Sequence, residues 1–126
     1  MPVRMRLSAI TLDCPDPIAL AAFYQQATGL EPHPKSDAGF AGLTRADGLF
    51  TGFQRVDDYR APSWPDQTVP QQLHLDFEVD DLDEAEARLS ELGAGKPSFQ
   101  PVPGLRVLTD PAGHPFCLVR PVGHNG

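Results

Sequence analysis

The feature that most constrains this chain is an internal repeat, in which segments recur at an offset of 65 residues. Asp81 lies 65 residues after Asp16, and His74 lies the same distance after Ala9. The same offset relates Leu108, Thr109 and Gly113 to Leu43, Thr44 and Gly48. An offset held through several segments is typical of a duplicated supersecondary unit. The two copies differ where one of them carries an imidazole.

Length and composition predict one globular domain that covers residues 1–126. Hydrophobic residues make up 40% and charged residues 21%, which is typical of a chain with a packed core. The net charge of −7 argues against a nucleic-acid partner, because phosphate binding needs Lys and Arg. No apolar run approaches the roughly 20 residues of a membrane span, and no secretory signal is apparent. We therefore expect a cytoplasmic protein without a membrane partner, whose two cysteines, Cys14 and Cys117, are buried free thiols.

The first copy has the pattern of a β-α-β-β-β unit. Residues 6–13 alternate as a strand does. Asp16 is a predicted helix N-cap with Pro17 at the first helical position, and Gly29 is a predicted helix stop. Strands are expected near residues 31–34, 39–45 and 49–56. The first module therefore extends over about residues 6–56.

The second copy repeats this order after a linker. Residues 57–70 contain three prolines and are predicted to be the linker. A strand at 72–79 leads to a helix at 82–92, capped by Asp80 or Asp81 and ended by Gly93. Strands follow near 96–100, 104–109 and 115–120, so that the second module covers about 71–121. We expect an α+β fold, in which two βαβββ modules form one curved, cup-shaped mixed sheet with the helices on its outer face.

Strand periodicity predicts which side chains face the cup. Leu73, Leu75 and Phe77 share the face that lies under the helix, which leaves His74 and Asp76 on the opposite face. An imidazole and a carboxylate two residues apart can bind a metal, or the carboxylate can orient the imidazole for proton transfer. A solvated polar face is the alternative, because this spacing also arises by chance.

Aromatic side chains are available to line the cup. The aromatic candidates are Phe40, Phe50, Phe53, Trp64 and Phe99, together with Thr44 and Gln54 as polar members. Trp64 lies in the linker, where it either covers a pocket or packs the linker onto the body. The remaining histidines, His33, His114 and His124, are expected at the surface.

Three motifs carry a resemblance to a known family: ITLDCPD at 10–16, HLDFEVDD at 74–81 and DPAGHPF at 110–116. With their order and spacing, the chain resembles the vicinal oxygen chelate superfamily, and more closely the small glyoxalase-like and bleomycin-resistance-like proteins. The resemblance implies paired βαβββ modules around a cup, a small-molecule ligand or substrate and a homodimer. In the metalloenzymes of this family the cup holds a divalent metal that acts as a Lewis acid.

The positions that match the family's metal ligands are largely substituted. His74 matches the first-strand ligand of the second module, but Ala9 occupies the equivalent position in the first. The last-strand positions hold Cys117 and Gly52, with Gln54 as a nearby substitute. The sequence therefore predicts no bound cofactor, and a divalent ion (Ni, Zn, Mn or Fe) held by His74, Gln54 and Cys117 is the alternative.

Three functions remain open from the sequence. The first is a lyase or other enzyme that binds a small organic molecule, with His74 as general acid or base and Asp76 as its orienting partner. The second is a non-catalytic protein that sequesters an antibiotic or metabolite. The third is a metal-dependent glyoxalase or dioxygenase with a rearranged site.

Overall fold

The two copies of the repeat fold as two units, in a computed structural model that describes residues 3–121. The first unit ends at Tyr59 and the second begins at Arg60, inside the predicted linker. The expected α+β fold with paired modules is confirmed. Its strands are hydrogen-bonded as two open sheets, one of four strands in the first unit and one of three in the second.

The first unit contains one helix and four strands. They are β1 (Ala9–Cys14), α1 (Pro17–Thr28), β2 (Glu31–Pro32), β3 (Phe40–Thr44) and β4 (Phe50–Arg55). The strand order is β1-β4-β3-β2, with β1 parallel to β4 and the other neighbours antiparallel. A parallel pair needs a crossover between its strands, and α1 lies in that connection.

The ends of α1 are those that the sequence predicts. The carboxylate of Asp16 accepts a hydrogen bond from the Ala19 N–H at 3.1 Å, and Pro17 stands at the first helical position. Gly29 ends the helix with a φ of 74°, which favours glycine, and its N–H donates to Gln25 O at 2.8 Å. Local capping chemistry therefore fixes both boundaries.

The buried face of the first sheet packs against α1. The Phe53 ring is fully buried and stacks on Tyr24 of α1, with ring centroids 5.7 Å apart and planes 8° apart. Burial of one such ring stabilises the fold by about 1.5–3 kcal/mol. The prediction that Phe53 lines the cup is therefore wrong, because residues 51, 53 and 55 of β4 point toward the helix side. Cys14 is also fully buried, as predicted, and its thiol donates to Gln54 O at 3.6 Å.

The second unit contains one helix and three strands. They are β5 (Leu75–Glu78), α2 (Leu82–Leu92), β6 (Leu105–Thr109) and β7 (Pro115–Val119). The order is β5-β7-β6, with β5 parallel and β6 antiparallel to β7. Asp81 caps α2 by accepting from the Glu84 N–H at 3.0 Å, and Gly93 ends it with a φ of 116°.

The repeat read from the sequence is present in the structure. The first residues of α2, β6 and β7 each lie 65 positions after the first residues of α1, β3 and β4. In each unit the helix contacts the two strands at these equivalent positions. The duplication seen in the sequence is therefore also present in the folded structure.

One strand predicted in the second copy is not formed. Residues 96–100 have no ladder, and only an isolated bridge joins Gly95 to Thr109. The side chain of Gln100 instead bonds the backbone of β6: its Nε2 donates to Val107 O at 2.9 Å, and its Oε1 accepts from Val107 N–H at 2.8 Å. A side-chain amide thus occupies the hydrogen-bonding groups that a neighbouring strand would use.

The first strand of the second copy is shorter than predicted. Strand β5 begins at Leu75, so His74 lies immediately before it rather than within it. Leu73 is 60% exposed, so the prediction that it lies under the helix is wrong. Phe77 does face that side, where it packs edge-on against Phe116.

Candidate functional site

His74 and Asp76 form the pair that the sequence predicts. Nε2 of His74 lies 3.3 Å from Oδ1 of Asp76, and the two side chains are 41% and 57% exposed. Because they are two residues apart, they project to the same side at the start of β5. The structure therefore places an imidazole within hydrogen-bonding reach of a carboxylate, on the sheet face opposite α2.

Cys117 joins this pair from the neighbouring strand. It is aligned with Asp76 in the parallel ladder between β5 and β7. One ligand atom from each of His74, Asp76 and Cys117 lies within 4.8 Å of the others. Cys117 is therefore less buried than expected: its side chain is half-buried and lies beside the His–Asp pair.

The thiol of Cys117 is neutral at physiological pH. Burial, and to a lesser extent the negative charge of the neighbouring Asp76, together raise its pKa to about 11. Both effects disfavour the thiolate, the first by removing water and the second by like-charge repulsion. The group is therefore a weak nucleophile as it stands, because the thiolate is the reactive form.

A pocket of about 200 Å³ lies on this side of the second unit. Its walls are mostly apolar, with three polar side chains among them. The lining residues are Trp64, Gln71, His74, Pro101, Leu105, Val107, Pro115 and Cys117. This combination of an apolar body with a few convergent polar groups is typical of small-molecule sites.

The loop that carries Trp64 is held by its own hydrogen bonds. Ser63 Oγ donates to Asp66 Oδ1 at 2.6 Å and accepts from the Val69 N–H at 2.8 Å. The Trp64 ring packs at 51° against Phe99, with ring centroids 5.6 Å apart. The loop thus gives Trp64 a defined position among the residues that line the pocket.

Sequence reasoning missed several lining residues. Gln71 is the most informative, because its buried Oε1 has no hydrogen-bond partner among residues 3–121. Leu105 and Val107 lie on β6, on the face opposite α2. Strand alternation within the predicted strand 104–109 was the available signal for these two, whereas nothing in the sequence distinguishes Gln71.

The other predicted lining residues belong to the first unit. Phe40 is 38% exposed and stacks on Phe50, with centroids 6.0 Å apart. The two rings cover Gly42 and Gly52, where an added Cβ would lie 2.0 Å from Phe50 Cζ and 2.6 Å from Phe40 Cζ. Gln54 is exposed on β4. These side chains form an aromatic surface on the sheet face opposite α1.

The first unit has a second, more polar hollow of about 330 Å³. It is lined by Arg6, Leu7, Ser8, Arg45, Asp47, Gly48 and Leu49. The Arg45 guanidinium is paired with Asp47 and holds the pKa of that carboxyl at about 2. Two of its three charged groups, Arg45 and Asp47, therefore neutralise one another at the turn between β3 and β4.

Two of the other histidines are not simple surface residues. Nδ1 of His114 lies 2.7 Å from Oδ2 of the buried Asp110, and the imidazole is only 16% exposed. Asp110 also accepts from the Ala112 and His114 N–H groups, so the pair closes the turn before β7. His33 is half-buried and packs edge-on against Phe50. His124 lies outside the described residues.

Among residues 3–121, no helix is both long enough and apolar enough to cross a membrane. A family model described as a glyoxalase-like domain matches residues 9–119. No curated protein matches the chain significantly.

Solved structures share the fold. A structure described as a possible glyoxalase from Bacillus cereus is 18% identical with a TM-score of 0.68, over 91% of this chain and 98% of that one. A glyoxalase/bleomycin resistance protein/dioxygenase family enzyme from Burkholderia phytofirmans PsJN is 21% identical with a TM-score of 0.67, over 90% and 97%.

A third neighbour is a mutant of the fosfomycin resistance protein FosX from Listeria monocytogenes, complexed with Mn(II) and 1S,2S-dihydroxypropylphosphonic acid. It is 22% identical with a TM-score of 0.71, and 96% of each chain is covered. Identities this low show the fold alone. Since the family model spans nearly all of the described residues, this chain belongs to the glyoxalase-like domain family.

Proposed function

We propose that this protein binds a small organic molecule in the pocket of its second unit, with His74 and Asp76 as the groups that exchange a proton with it. The observation that carries the proposal is the pocket of about 200 Å³ that combines apolar walls with Gln71, His74 and Cys117. Its size suits a ligand of one or two rings rather than a peptide or a nucleic acid.

The His74–Asp76 pair supports a role in proton transfer. The carboxylate lies 3.3 Å from Nε2, within reach to orient the imidazole ring. Because both side chains keep contact with solvent, the pair can exchange its proton with water between binding events. His74 is then the acid or base, and Asp76 is the residue that positions it.

Trp64 provides the test of binding, because it is the only tryptophan of the chain and lines the pocket. We would titrate the protein with small amides, alcohols and imidazoles that do not absorb where tryptophan is excited. Leu105→Phe fills the pocket and should weaken any binding at least about ten-fold. Val102→Phe is the matched control, since Val102 is 49% exposed and lies outside the lining. Ligands that bind Leu105→Phe unchanged would refute the site.

Conversion of the ligand separates an enzyme from a sequestering protein. A ligand recovered unchanged after long incubation, by mass spectrometry, supports sequestration of the kind that the sequence leaves open. A product that disappears in His74→Ala, with the far-ultraviolet circular dichroism spectrum preserved, supports catalysis by the pair. Product formation that persists in His74→Ala would exclude His74 as the acid or base.

A metal-dependent function is the second candidate, and the cluster of His74, Asp76 and Cys117 favours it. Three protein ligands and an open position are typical of catalytic zinc sites. The donor set of one imidazole, one carboxylate and one thiol suits Zn²⁺ better than Mn²⁺, which prefers oxygen ligands. A metal bound there would supply a Lewis acid that polarises an oxygen of the ligand.

Calorimetric titration with Zn²⁺ and with Mn²⁺ tests this candidate. Because the pKa of Cys117 is about 11, a cation that binds through the thiolate must release close to one proton at neutral pH. The measured heat should then depend on the ionisation enthalpy of the buffer, and Cys117→Ser should remove that dependence. Equal binding of both ions without proton release would contradict a thiolate-ligated site.

We also propose the homodimer that family membership suggests. Light scattering coupled to size-exclusion chromatography tests it directly. A mass close to 27 kDa, twice the chain mass of 13.7 kDa, is expected. A mass of one chain at all concentrations would refute it.

A further inference from the structure

Gln71 presents a buried acceptor that the described part of the chain leaves unpaired. Its Oε1 is buried and has no hydrogen-bond partner among residues 3–121. Buried polar atoms without a partner are rare in native folds, because each forfeits the hydrogen bond it would make with water. Such an atom at a pocket wall indicates that something outside the chain completes it.

A second glutamine in the same unit shows the contrast. Gln100 has both ends of its amide paired, with Nε2 donating to Pro97 O and Val107 O and Oε1 accepting from the Val107 N–H. The fold thus satisfies the amide that supports β6. It leaves the carbonyl oxygen of Gln71, a residue of the pocket lining, without a partner among residues 3–121.

The polar neighbours in the pocket do not supply the missing donor. His74 Nε2 faces Asp76 at 3.3 Å, and the N–H of Val107 is taken by Gln100. The remaining walls include Pro101 and Pro115, which have no N–H to donate. No donor of the lining, the Trp64 N–H and the Cys117 thiol included, is paired with Gln71 Oε1, so a bound molecule is the source we infer for its hydrogen bond.

We propose that Gln71 makes the pocket selective for a planar ring compound that presents one N–H or O–H donor to its Oε1. This inference rests on the proposed function, since it assumes that the pocket binds a small molecule. The planar body follows from the Trp64 ring and the prolines of the wall, which offer flat apolar surfaces. The donor follows from the orphaned oxygen.

Indole and benzofuran are the probes, because they have nearly the same shape and differ in one N–H against one ring oxygen. Calorimetry on the full chain should show that indole binds about ten-fold more tightly than benzofuran. Benzofuran has no N–H and leaves the buried Gln71 Oε1 unpaired. In Gln71→Met that ratio should fall to about one. The ligand-free Gln71→Met protein should also melt about 3 °C higher, because the unpaired oxygen is gone.

Gln72→Met is the matched control, since Gln72 is the exposed neighbour and lies outside the lining. It should keep the preference for indole and the original melting temperature. Equal binding of both probes to the unmodified protein would overturn the donor inference while leaving the binding site intact. Failure of both probes to bind would overturn the inference and the proposed site together. If Gln71→Met still binds indole more tightly than benzofuran, a group other than Gln71 accepts the hydrogen bond from the indole N–H, and the inference is overturned.

Discussion

Asp76 lies opposite Cys117 in the parallel ladder between β5 and β7, and its charge adds to burial in raising the pKa of the thiol to about 11. The imidazole of His74 lies on the other side of the same carboxylate. Asp76 thus lies beside both His74, the candidate acid or base, and Cys117, the candidate thiolate ligand of a metal. Its replacement should change the two groups in measurable ways.

Asp76→Asn should lower the pKa of Cys117, because the like charge that opposes thiolate formation is removed. The pKa should stay above the ordinary value of 9.0, since burial is the larger cause of the shift. The rate of alkylation by iodoacetamide as a function of pH measures it. Cys14 is fully buried and does not compete for the reagent.

Glu78→Gln is the control for that measurement. Glu78 lies on the same strand, is exposed and carries the same charge, but it is aligned with Val119 rather than with Cys117. It should leave the alkylation profile unchanged. An equal shift in both variants would show a general charge effect, and no shift in Asp76→Asn would refute the pairing.

The free energy of unfolding should fall at alkaline pH, because the Cys117 thiol ionises there. Its folded-state pKa of about 11 lies above the ordinary 9.0, so the folded state holds the proton more tightly than the unfolded state. The resulting stabilisation is complete below pH 9 and is lost as the pH rises toward 11. Allowing for solvent screening, it amounts to about 1 kcal/mol.

Urea unfolding at several pH values measures this loss. Between pH 9 and 11, Cys117→Ala should lose about 1 kcal/mol less stability than the unmodified chain. Every other titrating group is common to both proteins, so the difference isolates the thiol. Parallel pH profiles would contradict the raised pKa.

Gly42→Ala should destabilise the first unit by about 1–3 kcal/mol through overpacking. The new methyl group would lie 2.0 Å from Cζ of Phe50, which forces that ring off its stack with Phe40. Thermal unfolding measures the change. Gly39→Ala is the control, because its nearest contact is an ordinary 3.5 Å. Similar melting temperatures for the two variants would show that the rings do not lie against the glycine.

Glu86→Gln should destabilise the second unit by about 1 kcal/mol. Its carboxylate is 22% exposed, contacts Lys96 at 3.0 Å and Arg106 at 2.6 Å, and has its pKa lowered chiefly by the hydrogen bond from Lys96. The contribution of a lowered pKa is present at neutral pH and lost as the carboxylate protonates in acid.

Asp83→Asn is the matched comparison, since Asp83 also contacts Arg106 but is 85% exposed. Solvent screens that pair, so this variant should unfold in urea like the unmodified chain. If Asp83→Asn and Glu86→Gln lost the same stability, burial would not explain why the ion pairs of Glu86 contribute more than the ion pair of Asp83.

Local chemistry predicted the parts of the fold that depend on neighbours in sequence. The caps Asp16 and Asp81 and the stops Gly29 and Gly93 lie where the pattern places them, because capping involves residues within one helical turn. The His74–Asp76 pair was predicted for the same reason, since strand alternation acts over two residues.

Features set by distant contacts were not predictable in this way. The burial of Phe53 depends on the register of β4 against α1, and the missing strand at 96–100 depends on Gln100 reaching Val107. The placement of Cys117 beside Asp76 depends on which strands pair. The unpaired Oε1 of Gln71 could not be predicted either, because it depends on which hydrogen-bond donors lie around it in the folded chain.

We propose that the pocket of the second unit is the ligand site, and a ¹H–¹⁵N NMR titration with indole shows where such a ligand binds. We expect shifts concentrated at the backbone amides of Gln71, Val107 and Cys117, which line that pocket. The amides of Ser8 and Arg45, in the polar hollow of the first unit, should stay unchanged. Shifts confined to that hollow, or no shifts at saturating indole, would contradict the account.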